Sequence, residues 1–290
     1  MTDRFDTLIG ADELVTKLGS PNWRIVDCRF DLMDPEAGRQ AWAQSHIPGA
    51  VHADLDRDLA GPVSPDAGGR HPLPDTDEFR TRLGAWGIDT QTQVVVYDDG
   101  PGIIAGRLWW MLRWLGHRDV AVLDGGWASW LDAGHSVDDR EPRVEYTQYT
   151  GEPGSMPEVD ARQVHDALQT GTATLIDVRA SERFNGEHEP LDKVAGHVPG
   201  ALNLPLTVNL DEQGRFHSPE QLRQIYQPLS DGQKARQLIC MCGSGVSACH
   251  SLLAMEIAGL PGASLYVGSW SDWISDPSRP VAGANATEPD

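Results

Sequence analysis

The chain has 290 residues, 43 of them acidic and 23 basic, for a formal net charge of −20, and 40% of its residues are hydrophobic. That length suits two domains of about 140 residues, each able to bury a proper core. The charge argues against nucleic acid or an anionic membrane as the main partner, so an anionic substrate must be drawn in by local cations.

The first residues, Met1-Thr-Asp-Arg-Phe-Asp6, are polar and acidic, and no signal peptide is expected. A helix is expected over Ala11–Leu18 and a buried strand in Trp23-Arg-Ile-Val-Asp-Cys-Arg29. A turn follows at His46-Ile-Pro-Gly-Ala50, then a second apolar strand in Val94-Val-Val-Tyr-Asp-Asp99. Trp109, Trp110 and Trp114 lie at helical spacing and read as packing residues. A third strand ends in Leu123-Asp-Gly-Gly-Trp-Ala-Ser-Trp130.

The same order then repeats. A helix over Asp160–Leu168, with Asp160 as its N-cap, leads into Ala173-Thr-Leu-Ile-Asp-Val-Arg179. His197-Val-Pro-Gly-Ala201 repeats the turn, Leu238-Ile-Cys-Met-Cys-Gly243 the second strand, and Tyr266-Val-Gly-Ser-Trp-Ser-Asp-Trp273 the last. Strands alternating with helices imply, in each half, a parallel sheet flanked by helices on both faces, an α/β fold with two tandem domains. The expected layout is a first domain over 1–139, a linker over 140–158 with three prolines and two glycines, a second domain over 159–275, and a partly disordered tail over 276–290. His46 and His197 recur in both halves and are read as scaffold.

Cys242–Ser247, reading Cys-Gly-Ser-Gly-Val-Ser, lies between the apolar run Gln237–Met241 and the helix-forming run Ala248–Met255. A strand–loop–helix of this kind directs backbone N–H groups and the positive end of a helix dipole at its first residue, favouring thiolate over thiol. Gly243 and Gly245 are expected to curl the loop inward with positive φ. Cys242 is therefore the candidate nucleophile of the second half. The first half has Asp98-Asp99 at the same place, and a carboxylate cannot carry sulfur, so that half is read as a supporting repeat. The other cysteines, Cys28, Cys240 and Cys249, form no disulfide framework, and a reducing compartment, the cytoplasm, is expected. Cys-x-Cys lacks a second ligand pair, so no metal is expected.

On these motifs the chain resembles the tandem rhodanese family of sulfurtransferases over roughly residues 5–275, and most of all its 3-mercaptopyruvate branch. Cys-Gly-Ser-Gly-Val-Ser is similar to that branch's Cys-Gly-Ser-Gly-Val-Thr. The thiosulfate branch has basic residues where Gly243 and Ser244 stand here. The resemblance implies a two-step transfer without cofactor. Cys242 takes a sulfur atom from 3-mercaptopyruvate, becomes a persulfide, and passes the sulfur to cyanide or to a thiol such as thioredoxin. It implies that Ser244 contacts the sulfur or relays a proton, and that Gly243, Gly245, Val246 and Ser247 line the donor site. His71, in Gly69-Arg-His-Pro-Leu-Pro74, becomes a proton carrier and Asp56, in His52-Ala-Asp-Leu-Asp56, its acidic orienter, reaching across the domain interface. Arg183 would bind the donor's anionic group. The branch's second arginine is missing, since Glu189-Pro-Leu-Asp192 places Leu191 there, and Arg179 and Lys193 are the nearby cations that could replace it.

Two other readings stay open: thiosulfate:cyanide transfer, and a sulfur carrier or redox-sensing binding protein that does not turn over. A cysteine phosphatase is disfavoured, because the sixth residue after Cys242 is Ala248 rather than arginine.

Overall fold

The computed structural model describes residues 4–64, 69–230 and 237–283. These form two compact units. The first takes the described residues within Met1–Gly61, Leu73–Met156 and Leu210–Phe216; the second takes those within Pro62–Pro72, Pro157–Asn209 and His217–Asp290.

In the first unit the strands are β1 (Leu8–Ile9), β2 (Trp23–Asp27), β3 (Val51–His52), β4 (Gln93–Tyr97) and β5 (Val120–Leu123). The helices are α1 (Ala11–Leu14), α2 (Ala37–Gln44), α3 (Leu55–Asp58), α4 (Thr76–Ala85), α5 (Ile103–Trp114) and α6 (Gly126–Asp132). The strands pair in the order β1-β5-β4-β2-β3, all in parallel. Continuous apolar runs such as Val94-Val-Val suit strands buried on both faces. Ile25, Val95, Tyr97, Ala121 and Leu123 from the sheet pack with Leu14, Ile47 and Trp130. Trp109, Trp110 and Trp114 are buried in or at the end of α5, as their spacing suggests.

The second unit repeats the plan with β6 (Glu158–Val159), β7 (Thr174–Asp177), β8 (Leu202–Asn203), β9 (Leu238–Met241) and β10 (Ser264–Tyr266) in the order β6-β10-β9-β7-β8. Its helices are α7 (Ala161–Thr170), α8 (Ser181–Phe184), α9 (Pro219–Tyr226), α10 (Ala248–Ile257) and α11 (Ser269–Trp273). Asp160 caps α7 in a reciprocal pair with Gln163, and Ser218 does the same for α9 with Gln221. Leu175, Ile239, Met241 and Tyr266 pack against Trp270, Trp273 and Val164. After β7 the chain goes outward to β8, then returns to place β9 on the other side of β7. The carboxyl ends of β7 and β9 thus flank a switch in strand order, where open α/β sheets bind ligands.

The repeat extends to individual side chains. Asp27 grips Arg29 at 2.6 Å in the first unit, and Asp177 grips Arg179 at 2.6 Å in the second, both pairs fully buried. Arg29 lies 4.6 Å over the Trp127 ring and Arg179 lies 4.7 Å over Trp270. His46 and His197 each place Nδ1 2.7 Å from a helical carbonyl, of Trp42 and Phe184 respectively, consistent with scaffold.

The expected linker and tail differ from the structure. Residues 140–156 belong to the first unit, where the Thr147 N–H donates to Gly84 O at 3.0 Å and the Ser155 N–H to Trp114 O at 3.1 Å. The proline-rich strap satisfies carbonyls that the ends of α4 and α5 leave over. The start of the tail is also ordered: Ala282 exchanges both backbone bonds with His197, and Trp273 Nε1 donates to Pro280 O at 2.8 Å. The rest of the tail, 284–290, lies outside the described residues. Among the described residues no helix is long and apolar enough to cross a membrane.

Candidate active site

Cys242 is the first residue after β9 and is 1% exposed. The loop it opens runs to Ser247, where α10 starts, and α10 is buried over most of its length. The first unit has a loop at the matching place, one residue shorter before its helix begins at Ile103. Asp98 occupies the matching position after β4. One carboxylate oxygen accepts from the N–H groups of Gly100 at 3.1 Å and Gly102 at 3.0 Å, the other from Ile104 at 2.9 Å and Ala105 at 3.1 Å. Complete burial raises its pKa, and the four N–H groups act the other way. The cradle that gathers amides around an anion is filled there by the chain's own carboxylate. In the second unit the same position carries a thiol.

The loop's two glycines have different jobs. Gly245 has φ +78°, and a Cβ there would lie 2.1 Å from the Val267 carbonyl oxygen, so neither its conformation nor its space admits a side chain. Gly243, expected to share that conformation, does not have positive φ. Its missing side chain leaves room for cations instead: a Cβ would stand 3.0 Å from Arg70 Nη2 and 3.5 Å from both Nη atoms of Arg183. Val246 is buried and Ser247 half-buried at the start of α10.

A residue the sequence reasoning missed holds the nucleophile in place. Ser269 accepts the Cys242 N–H on its Oγ at 3.0 Å and donates to Tyr266 O at 2.9 Å. The Trp270 and Ser271 N–H groups bond the Cys242 and Gly243 carbonyls at 3.0 and 2.9 Å. Ser269 has φ +52°, alone among described non-glycine residues in being left-handed, whereas the matching first-unit residue is Gly126 at φ +56°. Strain is accepted where a hydroxyl is needed against the nucleophile's own amide. The signal was present in the repeat as a serine facing a glycine.

Ser244 and His71, expected separately as a sulfur contact or proton relay and as a proton carrier, are both buried, with Nδ1 and Oγ hydrogen-bonded at 2.7 Å. His71 is not lent from the first half of the fold, because Pro62–Pro72 is part of the second unit. Asp56 stays in the first unit on α3, so its expected pairing with His71 belongs to neither unit. Burial and the neighbouring Asp54 raise the Asp56 pKa, against Arg57.

Arg183, at the end of α8, donates Nη2 to Glu189 at 2.7 Å and to Asp192 at 3.2 Å, with Nε also on Glu189 at 3.1 Å. Burial alone would raise the Glu189 pKa, but the Arg183 bonds and the N–H groups of Leu191 and Asp192 outweigh it and lower it. Arg179 is not available to bind a ligand: Asp177, Glu189 and the Gly196 carbonyl occupy its guanidinium. Cys240 is fully buried in β9, and burial raises its pKa far above the ordinary thiol range.

A model of the rhodanese-like domain matches residues 10–133 and again 160–276. The chain belongs to the rhodanese family. It is 48% identical over 276 residues to a Pseudomonas aeruginosa protein named as a probable 3-mercaptopyruvate sulfurtransferase, covering 95% of this chain and 97% of that one. It is 35% identical to the rat thiosulfate sulfurtransferase over 88% of this chain and 86% of that one. Among solved structures it resembles the Escherichia coli 3-mercaptopyruvate sulfotransferase SseA, with TM-score 0.76, 33% identity, and 91% of this chain and 98% of that chain covered. The Leishmania major 3-mercaptopyruvate sulfurtransferase matches with TM-score 0.80 and 31% identity over 92% of this chain and 74% of that one. Two rhodanese domains in one chain, with relatives of this kind over nearly its full length, make this protein a sulfurtransferase.

Proposed function

We propose that this rhodanese-family protein moves sulfur from 3-mercaptopyruvate, through a persulfide on Cys242, to a thiol or to cyanide. The observation that carries the reading is the buried Ser244–His71 hydrogen bond, 2.7 Å long, two residues beyond the cysteine in the loop that opens on it. In the first step the Cys242 thiolate attacks the donor's sulfur. The S–S bond forms, the donor's C–S bond breaks, and its electron pair leaves as the enolate of pyruvate. The enolate carbon takes a proton and the new persulfide loses the one its sulfur carried in the donor, so the step needs no outside acid or oxidant. Ser244 and His71 form the path along which that proton passes, since a hydroxyl on an imidazole can accept and give in one motion. In the second step an acceptor thiolate attacks the outer sulfur and restores the Cys242 thiolate.

Arg183 binds the donor's carboxylate, and the glycines at 243 and 245 shape the floor on which the donor rests. Gly243 and Ser244 stand where the thiosulfate branch carries basic residues, a likeness to the 3-mercaptopyruvate branch that supports a mercapto acid as donor. The acceptor is a small thiol or a dithiol protein of the thioredoxin kind. The four cysteines are all buried free thiols, in keeping with a reducing compartment such as the cytoplasm.

The test is kcat/KM measured on one preparation, by pyruvate release from 3-mercaptopyruvate and by sulfite release from thiosulfate. The first is expected to be larger. An equal or reversed ratio makes thiosulfate the donor, and release that stops after one equivalent makes the protein a carrier.

A further inference from the structure

Resting on that reading of the donor, we propose that Arg70 is the second carboxylate-binding residue, forming with Arg183 a clamp of two guanidiniums over Gly243. The two side chains converge on one point of the loop, 3.0 Å from Arg70 Nη2 and 3.5 Å from Arg183 Nη1 and Nη2, where a Cβ of residue 243 would be. Cys242 is the preceding residue, so an anion bound by those guanidinium edges is held at the loop that carries the nucleophile.

Like charges do not gather without an anion to hold them. Here Asp192 does so, its two oxygens divided between Arg70 Nη1 and Arg183 Nη2. Asp192 is nearly buried, and that burial raises its pKa against the pull of Arg70 and Arg183. The bonds to Asp192 and Glu189 use Arg70 Nη1 and Arg183 Nε and Nη2. Arg70 Nη2 and Arg183 Nη1, which face Gly243, are not the atoms in those bonds. The arrangement is therefore two forks braced from behind with an edge of each toward the loop, suited to a planar carboxylate.

The backbone aims Arg70. Its N–H donates to Ser271 Oγ at 3.1 Å, and Ser271 also bonds the Gly243 carbonyl through its own N–H. The residue is thus tied to the loop it faces. The other candidates fail. Leu191 has no charge and is 38% exposed, Arg179 is buried and held by Asp177, Glu189 and the Gly196 carbonyl, and Lys193 is exposed. An arginine outside the local sequence run thus supplies the contact that Leu191 cannot.

The experiment compares wild type, Arg70→Gln and Arg70→Lys. Steady-state pyruvate release from 3-mercaptopyruvate is followed together with thermal melting. Loss of one charge-assisted contact should raise KM about tenfold to a hundredfold while kcat changes less than about threefold. Arg70→Lys should recover part of the loss, since it restores charge but not the fork. A purely structural bond to Asp192 would instead lower the melting temperature and leave KM alone. An unchanged KM overturns the clamp. If wild type releases no pyruvate, the donor reading fails on its own, and calorimetric titration of pyruvate into wild type and Arg70→Gln then decides the clamp. Weaker binding to the variant supports it, and equal binding refutes it.

Discussion

The two loop glycines can be separated by experiment, because alanine meets a different obstacle at each. At 245 the new Cβ would be left-handed, costing about 1–2 kcal/mol, and would sit 2.1 Å from a backbone oxygen that cannot swing away. Strain and clash together place Gly245→Ala at about 2–4 kcal/mol. At about 2–4 °C per kcal/mol, the melting temperature should fall by about 4–16 °C. At 243 the backbone is not left-handed, and the three atoms nearest the new Cβ are the far ends of Arg70 and Arg183. Those side chains can rotate, so Gly243→Ala should melt within about 2 °C of wild type, helped by the smaller entropy of its unfolded chain. It should nevertheless raise KM several-fold, because it displaces the guanidiniums from the donor. Scanning calorimetry and steady-state pyruvate release on both variants give the answer. If Gly243→Ala unfolds as early as Gly245→Ala, or if Gly245→Ala is as stable as wild type, the two glycines do not divide the labour in this way.

Ser269→Gly should relieve about 1 kcal/mol of backbone strain but lose two buried bonds, to the Cys242 N–H and the Tyr266 carbonyl, together about 1–3 kcal/mol, so it should destabilise by no more than about 2 kcal/mol while kcat drops; an unchanged kcat would make the serine dispensable. Asp98→Asn turns an amide N–H₂ toward N–H donors that now face a carboxylate. It should cost about 2–6 kcal/mol, for two buried groups left unmade, read as a shift of the denaturation midpoint; a neutral result would mean that the cradle does not select an anion. The carboxylate of Glu189 has a lowered pKa, so its contribution to stability is complete above the ordinary value of 4.5 and fades as pH falls through the lowered one. The melting-temperature gap between wild type and Glu189→Gln should therefore be widest near neutrality and close in acid, and a gap independent of pH would contradict the assignment.

The duplication made most of the fold legible, because each repeated block fixed a strand end in both halves. Leu123 and Tyr266 end β5 and β10, and Asp27 and Asp177 end β2 and β7, at matching positions of the repeat. The loop at Cys242 was legible for the same reason: its apolar strand and its helix are local signals. What escaped the sequence depends on distance. Arg70 lies 173 residues before Gly243, and nothing in its neighbours says that its side chain points at the loop. The bonds from Thr147 and Ser155 to helix ends are equally invisible in a proline-rich segment, where periodicity is lost. A glycine in a tight strand–loop–helix turn suggests positive φ at Gly243, but a glycine can be required for the space beside it instead.

The central claim is that Cys242 carries the travelling sulfur. The most direct test is mass spectrometry of the intact protein and its peptides after brief exposure to 3-mercaptopyruvate, in wild type and in Cys242→Ser. One sulfur atom added to the peptide containing Cys242, removed by a reducing thiol and absent from the variant, is the predicted result. An added sulfur on Cys28, Cys240 or Cys249, or turnover that survives Cys242→Ser, would contradict the account.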